Sequence, residues 1–168
     1  MRLGFLKDNE SRVSVTPITL KKYIDANHIV CVEKNAGEVS GFSDKSYNHD
    51  KILSRKDVIK SSDILVLVNS SSIESYNDLK GKTIISNFSV EPDRELIKQN
   101  IKKNKITAFD LSMIPRTTIA QSMDILSSMA GLSGYKAVIK AAELLPKIFP
   151  MTITCLLYTS PSPRDGLL

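Results

Sequence analysis

The chain has 168 residues, 42% of them hydrophobic, a mean hydropathy of -0.09 and a formal net charge of +5. That length suits one domain, and the apolar share supports a packed core rather than a disordered chain. The lysines are scattered, and the densest stretch, residues 98–105, has no interleaved aromatics, so the basic balance does not point to nucleic acid. No apolar run approaches the roughly 18 residues of a membrane span. The opening MRLGFLKDNES lacks the pattern of a signal peptide.

In chain order, short apolar runs fall at residues 3–6, 29–32, 64–68, 83–86 and 106–109. Each is strand-sized and suits a sheet buried on both faces. A first helix starts at Thr16 as N-cap with Pro17 at its first position, runs through ITLKKYIDAN and stops near Asn27. Within HIVCVEK, Cys31 reads as a buried thiol. His28 and His49 stand alone and read as surface residues. No CxxC or His/Cys pairing occurs, which argues against a metal site and for a reducing compartment. Turn-rich links occupy residues 35–41 and 69–72. A second helix starts near Glu91-Pro92 and runs through DRELIKQNIKKN, with Leu96, Ile97 and Ile101 on one face.

This alternation predicts an α/β fold: an open parallel sheet of about five strands with flanking helices, Rossmann-like or flavodoxin-like, plus a long C-terminal helix. That helix lies within residues 118–149, and its middle is small: Ala130, Gly131, Ser133, Gly134, Ala137. Each glycine costs a helix about 1 kcal/mol, so the pattern predicts close packing against a partner element. The stretch CLLYTSPSPRDGLL, residues 155–168, breaks the periodicity and looks like the translation of a sequencing adaptor joined to a truncated gene. The expected domain is therefore residues 1–154, with a tail that does not pack on it.

Four segments carry a resemblance. NESRVSVTP at residues 9–17 resembles the ERRVALTP signature shared by alanine dehydrogenases and NAD(P) transhydrogenases. VEKNAGE at 32–38, followed by GFSD at 41–44, resembles their VEKGAGE…GFSD stretch. IPRTTIAQSMDILSSMA at 114–130 resembles a stretch typical of transhydrogenases, and GYKAVIKAA and FPMTIT continue in register. An alanine dehydrogenase is expected to carry a substrate-binding Lys near position 67 and a catalytic His after the strand ending near Ser86. Here those places hold Leu67 and Asn87-Phe-Ser-Val90. Transhydrogenases can also carry a basic residue at 67, so Leu67 departs mildly from both. The leading reading is the NAD(H)-binding subunit of a proton-translocating transhydrogenase. The alternatives are an alanine dehydrogenase N-terminal domain and a non-catalytic small-ligand or interaction module.

The resemblance implies hydride transfer between NAD(H) and NADP(H), a task of positioning that needs no catalytic acid, base or metal. It places Arg116, Gln121, Asp124 and Ser127 at the nicotinamide end of NAD(H). Spacing alone allows an N-cap and a solvated polar face instead. Arg12 follows the first strand, at the carboxyl edge where ligands bind in such sheets. It can meet cofactor or pair with Glu10. No Gly-x-Gly occurs, so the rest of the dinucleotide is expected on a second domain. The resemblance further implies NADP(H) on a partner, membrane and NADP-binding partner subunits, and a homodimer of the full-length subunit. The implied location is cytoplasmic, peripheral to the inner membrane through those partners.

Overall fold

The computed structural model describes residues 1–89, 92–115 and 117–147, with the backbone alone at Gln121 and Ser128. Arg116, Ile148, Phe149 and residues 155–168 lie outside the described residues. The chain divides into two units, Met1–Ile125 and Leu126–Leu168.

The first unit is a parallel sheet. Its strands are β1 (Arg2–Phe5), β2 (Ile29–Glu33), β3 (Ile52–Leu53), β4 (Ile64–Asn69), β5 (Thr83–Asn87) and β6 (Thr107–Asp110). Their spatial order is β3-β2-β1-β4-β5-β6, and every neighbouring pair is parallel. The five expected strands all form. A sixth, β3, joins them at the sheet edge, where two residues are too few to show a periodicity.

Parallel strands need crossovers, and these carry α1 (Pro17–Asp25), α2 (Arg55–Ser61) and α3 (Arg94–Lys103). α1 begins as expected. The Thr16 hydroxyl accepts from the Thr19 amide, the Thr19 hydroxyl accepts from the Thr16 amide, and Pro17 occupies the first turn. It ends at Asp25, and two residues on the φ of 59° at Asn27 lets the His28 amide reach back to the Tyr23 carbonyl at 3.1 Å. α3 starts at Arg94 because the Asp93 carboxylate caps it, accepting from the Leu96 amide at 2.9 Å. On α3, Ile97 is buried and Ile101 packs on the core, but Leu96 is 54% exposed. Leu96 is one helical step, about 100°, from Ile97, and that step carries it off the apolar face.

Two buried clusters cover the two faces of the sheet. Leu3, Phe5, Val15, Leu20, Val30 and Val32 gather on the α1 side. Leu6, Cys31, Val58, Leu65, Leu67 and Ile97 gather on the side of α2 and α3. Successive strand residues point to opposite faces, and the alternation of Val30, Cys31 and Val32 follows from that. Cys31 is buried, as expected. Both histidines are half-buried, and His49 Nε2 lies 2.9 Å from the Val30 carbonyl oxygen. Gly4 permits α2 to approach β1: a Cβ there would sit 2.5 Å from Ser62 Oγ and 2.8 Å from Val58 Cγ1.

The second unit holds nearly all of α4 (Ile125–Leu144). The long helix is present, but the expected close partner of its glycines is not among the described residues. A Cβ built at Gly131 or Gly134 meets nothing within 4 Å. Leu132, Tyr135, Val138 and Leu144 on this helix are exposed.

Candidate functional site

The strand order reverses between β1 and β4. The chain leaves β1 toward β2 on one side and returns to β4 on the other, which puts a topological switch point at their carboxyl ends. In open α/β sheets this switch point is where ligands bind.

Here the carboxyl ends of β1, β4 and β5 carry a polar network. Asp8, three residues past β1, is 4% exposed. Its carboxylate accepts from the Val68 amide at 3.0 and 3.1 Å, the Asn69 amide at 3.0 Å and the Ser72 hydroxyl at 3.0 Å. The register of β4 against β5 shifts between Val66 and Asn69. The two amides at the end of that irregular stretch turn to Asp8, and such an irregularity beside a site re-aims the strand end. Burial pushes the Asp8 carboxyl above its ordinary range, against the opposing pull of the three donors.

Glu10 and Arg12 form the next layer. Arg12 Nε and Nη2 donate to the two Glu10 oxygens at 2.8 and 2.9 Å. Glu10 Oε1 also accepts from Asn69 Nδ2 at 3.1 Å, and Asn69 Oδ1 accepts from Asn87 Nδ2 at 3.4 Å. Asn87 Oδ1 takes the amide and hydroxyl of Ser89 at 3.0 and 2.7 Å. On the β2 side, Glu33 accepts from the Lys7 amide at 2.7 Å and from Arg55 Nη1 at 3.1 Å. Arg55 also donates to the Lys7 and Ser72 carbonyls. A cleft of about 280 Å³ beside it is lined by Leu6, Glu33, Arg55, Ile73 and Leu79 among others. At β6, Asp110 Oδ1 accepts from the Phe88 and Ser112 amides at 3.1 and 2.9 Å. The carboxylates Asp8, Glu10, Glu33 and Asp110 are thus all engaged as acceptors.

Of the residues singled out in the sequence, Arg12 stands at the carboxyl edge of β1, paired with Glu10. Gln121 lies in a 3-10 turn, Ala120–Ser122. Asp124 is 4% exposed, immediately before α4. Ser127 lies in the first turn of α4 and is exposed. Arg116 lies outside the described residues. The segment carrying these positions leaves the sheet from the carboxyl end of β6, the same edge as Arg12 but three strands away, roughly 14 Å at the usual interstrand spacing. Leu67, where a substrate lysine was the alternative, is 1% exposed in the core, and Asn87, the last residue of β5, begins the stretch where a histidine was expected. Asp8, Asn69, Ser72 and Asn87 escaped the sequence reading. The only signal was their position at strand ends, legible once strand order is known. Among the described residues no helix is long and apolar enough to cross a membrane, and no group of three or more His, Cys, Asp or Glu could hold a metal ion.

A doubly wound parallel sheet with flanking helices defines an α/β domain of the Rossmann-like class. Residues 6–133 match the family "Alanine dehydrogenase/PNT, N-terminal domain", and the chain belongs to that family. It is 38% identical over 165 residues to the first portion of the NAD(P) transhydrogenase alpha subunit of Rickettsia prowazekii, covering 92% of this chain and 43% of the relative. It is 30% identical over 139 residues to "Alanine dehydrogenase 1" of Staphylococcus aureus, covering 82% of this chain and 36% of the relative. Among solved structures, the transhydrogenase from Sinorhizobium meliloti superposes with a TM-score of 0.81 at 29% identity, covering 92% of this chain and 48% of that one. The chain spans less than half the length of these relatives.

Proposed function

We propose that this chain is the first domain of the NAD(H)-binding subunit of a proton-translocating NAD(P) transhydrogenase. The observation that carries the reading is the chemistry of the carboxyl edge. The carboxylates of its network, Asp8, Glu10, Glu33 and Asp110, are engaged as acceptors, and Leu67 in β4 and Asn87 at the end of β5 stand where amine chemistry would require a cation and a proton shuttle. A nicotinamide supplies its own hydride, so a site without a free base suits it. The greater identity to the transhydrogenase subunit than to the alanine dehydrogenase supports the same choice.

The residues present fit such a cofactor. The half-exposed Arg12 can donate at the switch point. Gln121 and Ser127 are side chains that both donate and accept, and Asp124 accepts, as a carboxamide and ribose require. Arg116, Gln121, Asp124 and Ser127 would hold the nicotinamide end, and a Gly-rich second domain would hold the pyrophosphate and adenosine. NADP(H) would be bound on a partner. The subunit would be a homodimer on the cytoplasmic face of the inner membrane, held there by membrane partners. This chain alone would neither bind NADH tightly nor transfer hydride, because few contacts would remain to offset the lost translational and rotational freedom. Residues 1–154 would be its folded part.

The test is Gln121→Asn in a protein carrying this chain through to the length of its relatives, assembled with its partners. Losing one buried hydrogen bond costs about 1–3 kcal/mol, or about five- to 150-fold. A residue that orients the ring should lose that factor in single-turnover hydride transfer more than in NADH affinity. An unchanged transfer rate removes Gln121 from the site.

A further inference from the structure

Arg12 is held in an unusual way for a half-exposed arginine. Its side chain is 36% exposed, yet Nε and Nη2 are both committed to Glu10, which leaves Nη1 without a partner among the described residues. Glu10 is in turn tied to Asn69 and, through it, to Asn87, two buried amides whose orientations are forced. Asn87 Oδ1 is taken by both donors of Ser89, so its NH2 must face Asn69. The Asn69 oxygen therefore faces Asn87, and its NH2 faces Glu10. The Asn69 backbone amide is fixed by Asp8. Asn69 and Asn87 are 9% and 6% exposed, and both sit at the carboxyl ends of neighbouring strands. The result is a directed chain of hydrogen bonds, Ser89 to Asn87 to Asn69 to Glu10, with Arg12 donating to Glu10 at its far end. It crosses three strands and terminates at the Arg12 guanidinium, whose Nη1 has no partner among the described residues.

A surface salt bridge needs no such support, and exposed pairs contribute only about 0–1 kcal/mol to stability. Locking a carboxylate from behind makes sense if the arginine in front must point one way, since polar networks of this kind fix geometry. We propose that Glu10, held through Asn69 and Asn87, is a positioning residue that aims Nη1 of Arg12 at NAD(H) bound beyond the carboxyl ends of β1 and β4. This rests on the transhydrogenase reading and adds three residues to it: Glu10, Asn69 and Asn87, none of which touches the cofactor. A planar guanidinium donates in a fixed fork, so a tilt of Glu10 misdirects it as effectively as removal.

The chain can be broken at its far end without touching Arg12. Asn87→Asp keeps the acceptor for Ser89 but replaces the donor toward Asn69 with an oxygen. The Asn69 amide then turns to donate toward Asn87's position and presents its own oxygen to Glu10, which repels the carboxylate. The experiment uses the protein at the length of its relatives and measures NADH dissociation constants by the fluorescence of NADH itself for wild type, Arg12→Ala, Asn87→Asp and the double variant. Circular dichroism melts verify folding. Arg12→Ala should weaken NADH binding about tenfold, the size of one lost charge-assisted hydrogen bond, and Asn87→Asp by a similar factor. The double variant should match Arg12→Ala within about twofold, since a positioning residue has nothing left to position. If Asn87→Asp does not fold, Glu10→Gln enters the same cycle with the same expectation. Effects that multiply in the double variant, or an Arg12→Ala protein that binds like wild type, overturn this inference and leave the functional reading standing. A wild-type protein that does not bind NADH overturns both.

Discussion

Replacing Asp8 separates the worth of its acceptor oxygens from the cost of its buried charge. Asp8→Ala leaves the part-buried Val68 amide and the buried Asn69 amide without their acceptor, while the Ser72 hydroxyl can rotate elsewhere. Two such orphaned N–H groups cost about 1–3 kcal/mol each, for about 2–6 kcal/mol, reduced by whatever the removed charge had cost. Asp8→Asn retains one oxygen, enough for the Asn69 amide and the Ser72 hydroxyl, and loses the charge. It should cost about 1 kcal/mol or less. The gap between the two variants should reach about 2 kcal/mol in urea denaturation followed by circular dichroism, since the chain has no Trp. The two variants falling within about 0.5 kcal/mol of each other would refute the acceptor role. The pH dependence has a definite sign. The folded Asp8 carboxyl is raised above its ordinary value of 3.8, so its contribution is fully present below that value and is lost as pH rises through the folded one. Wild type should therefore lose stability relative to Asp8→Asn on going from pH 4 toward neutrality. Asp63, lowered mainly by its hydrogen bond to Arg2, works oppositely: its contribution is present above the ordinary value and lost as pH falls. It is common to both proteins and cancels in the difference.

Arg55→Ala removes the cation beside Glu33, two side chains only 17% and 11% exposed, and frees the Lys7 and Ser72 carbonyls. Breaking a buried pair by one partner costs about 3–5 kcal/mol, and a loss under 1 kcal/mol in the same denaturation assay would show that water replaces Arg55 freely. Removing residues 155–168 should leave the melting temperature nearly unchanged by circular dichroism. A fall of several degrees would make that stretch a structural element.

The parts of the fold that one sequence discloses are those fixed by neighbours in the chain. Ile/Val runs mark five strands, and the Thr16-Pro17 pair marks the start of α1, because strand burial and helix capping are local effects. α2 passed unremarked although Ser54, which caps it, and Asp57 stand in the spacing of a capping box. β3 is too short to leave a pattern. Gly131 and Gly134 predicted a close partner that is not among the described residues, since small size alone does not say what approaches. At the site, the Glu10–Arg12 pair was foreseeable at a separation of two residues. The links from Asp8 and Glu10 to Asn69 span 61 and 59 residues, and only the placement of β4 beside β1 brings them together.

The central claim is that this domain serves hydride transfer between two nicotinamides rather than amine chemistry. The direct measurement follows a tritium label on C4 of NADH in the protein at the length of its relatives, assembled with its partners and given an oxidised NADP analogue in one assay and pyruvate with ammonium in another. The carboxyl edge, with its engaged carboxylates and its amides at the ends of β4 and β5, predicts that the label moves to the NADP analogue without appearing in water, and that no labelled alanine forms. Label in alanine, with none on the NADP analogue, would contradict the account.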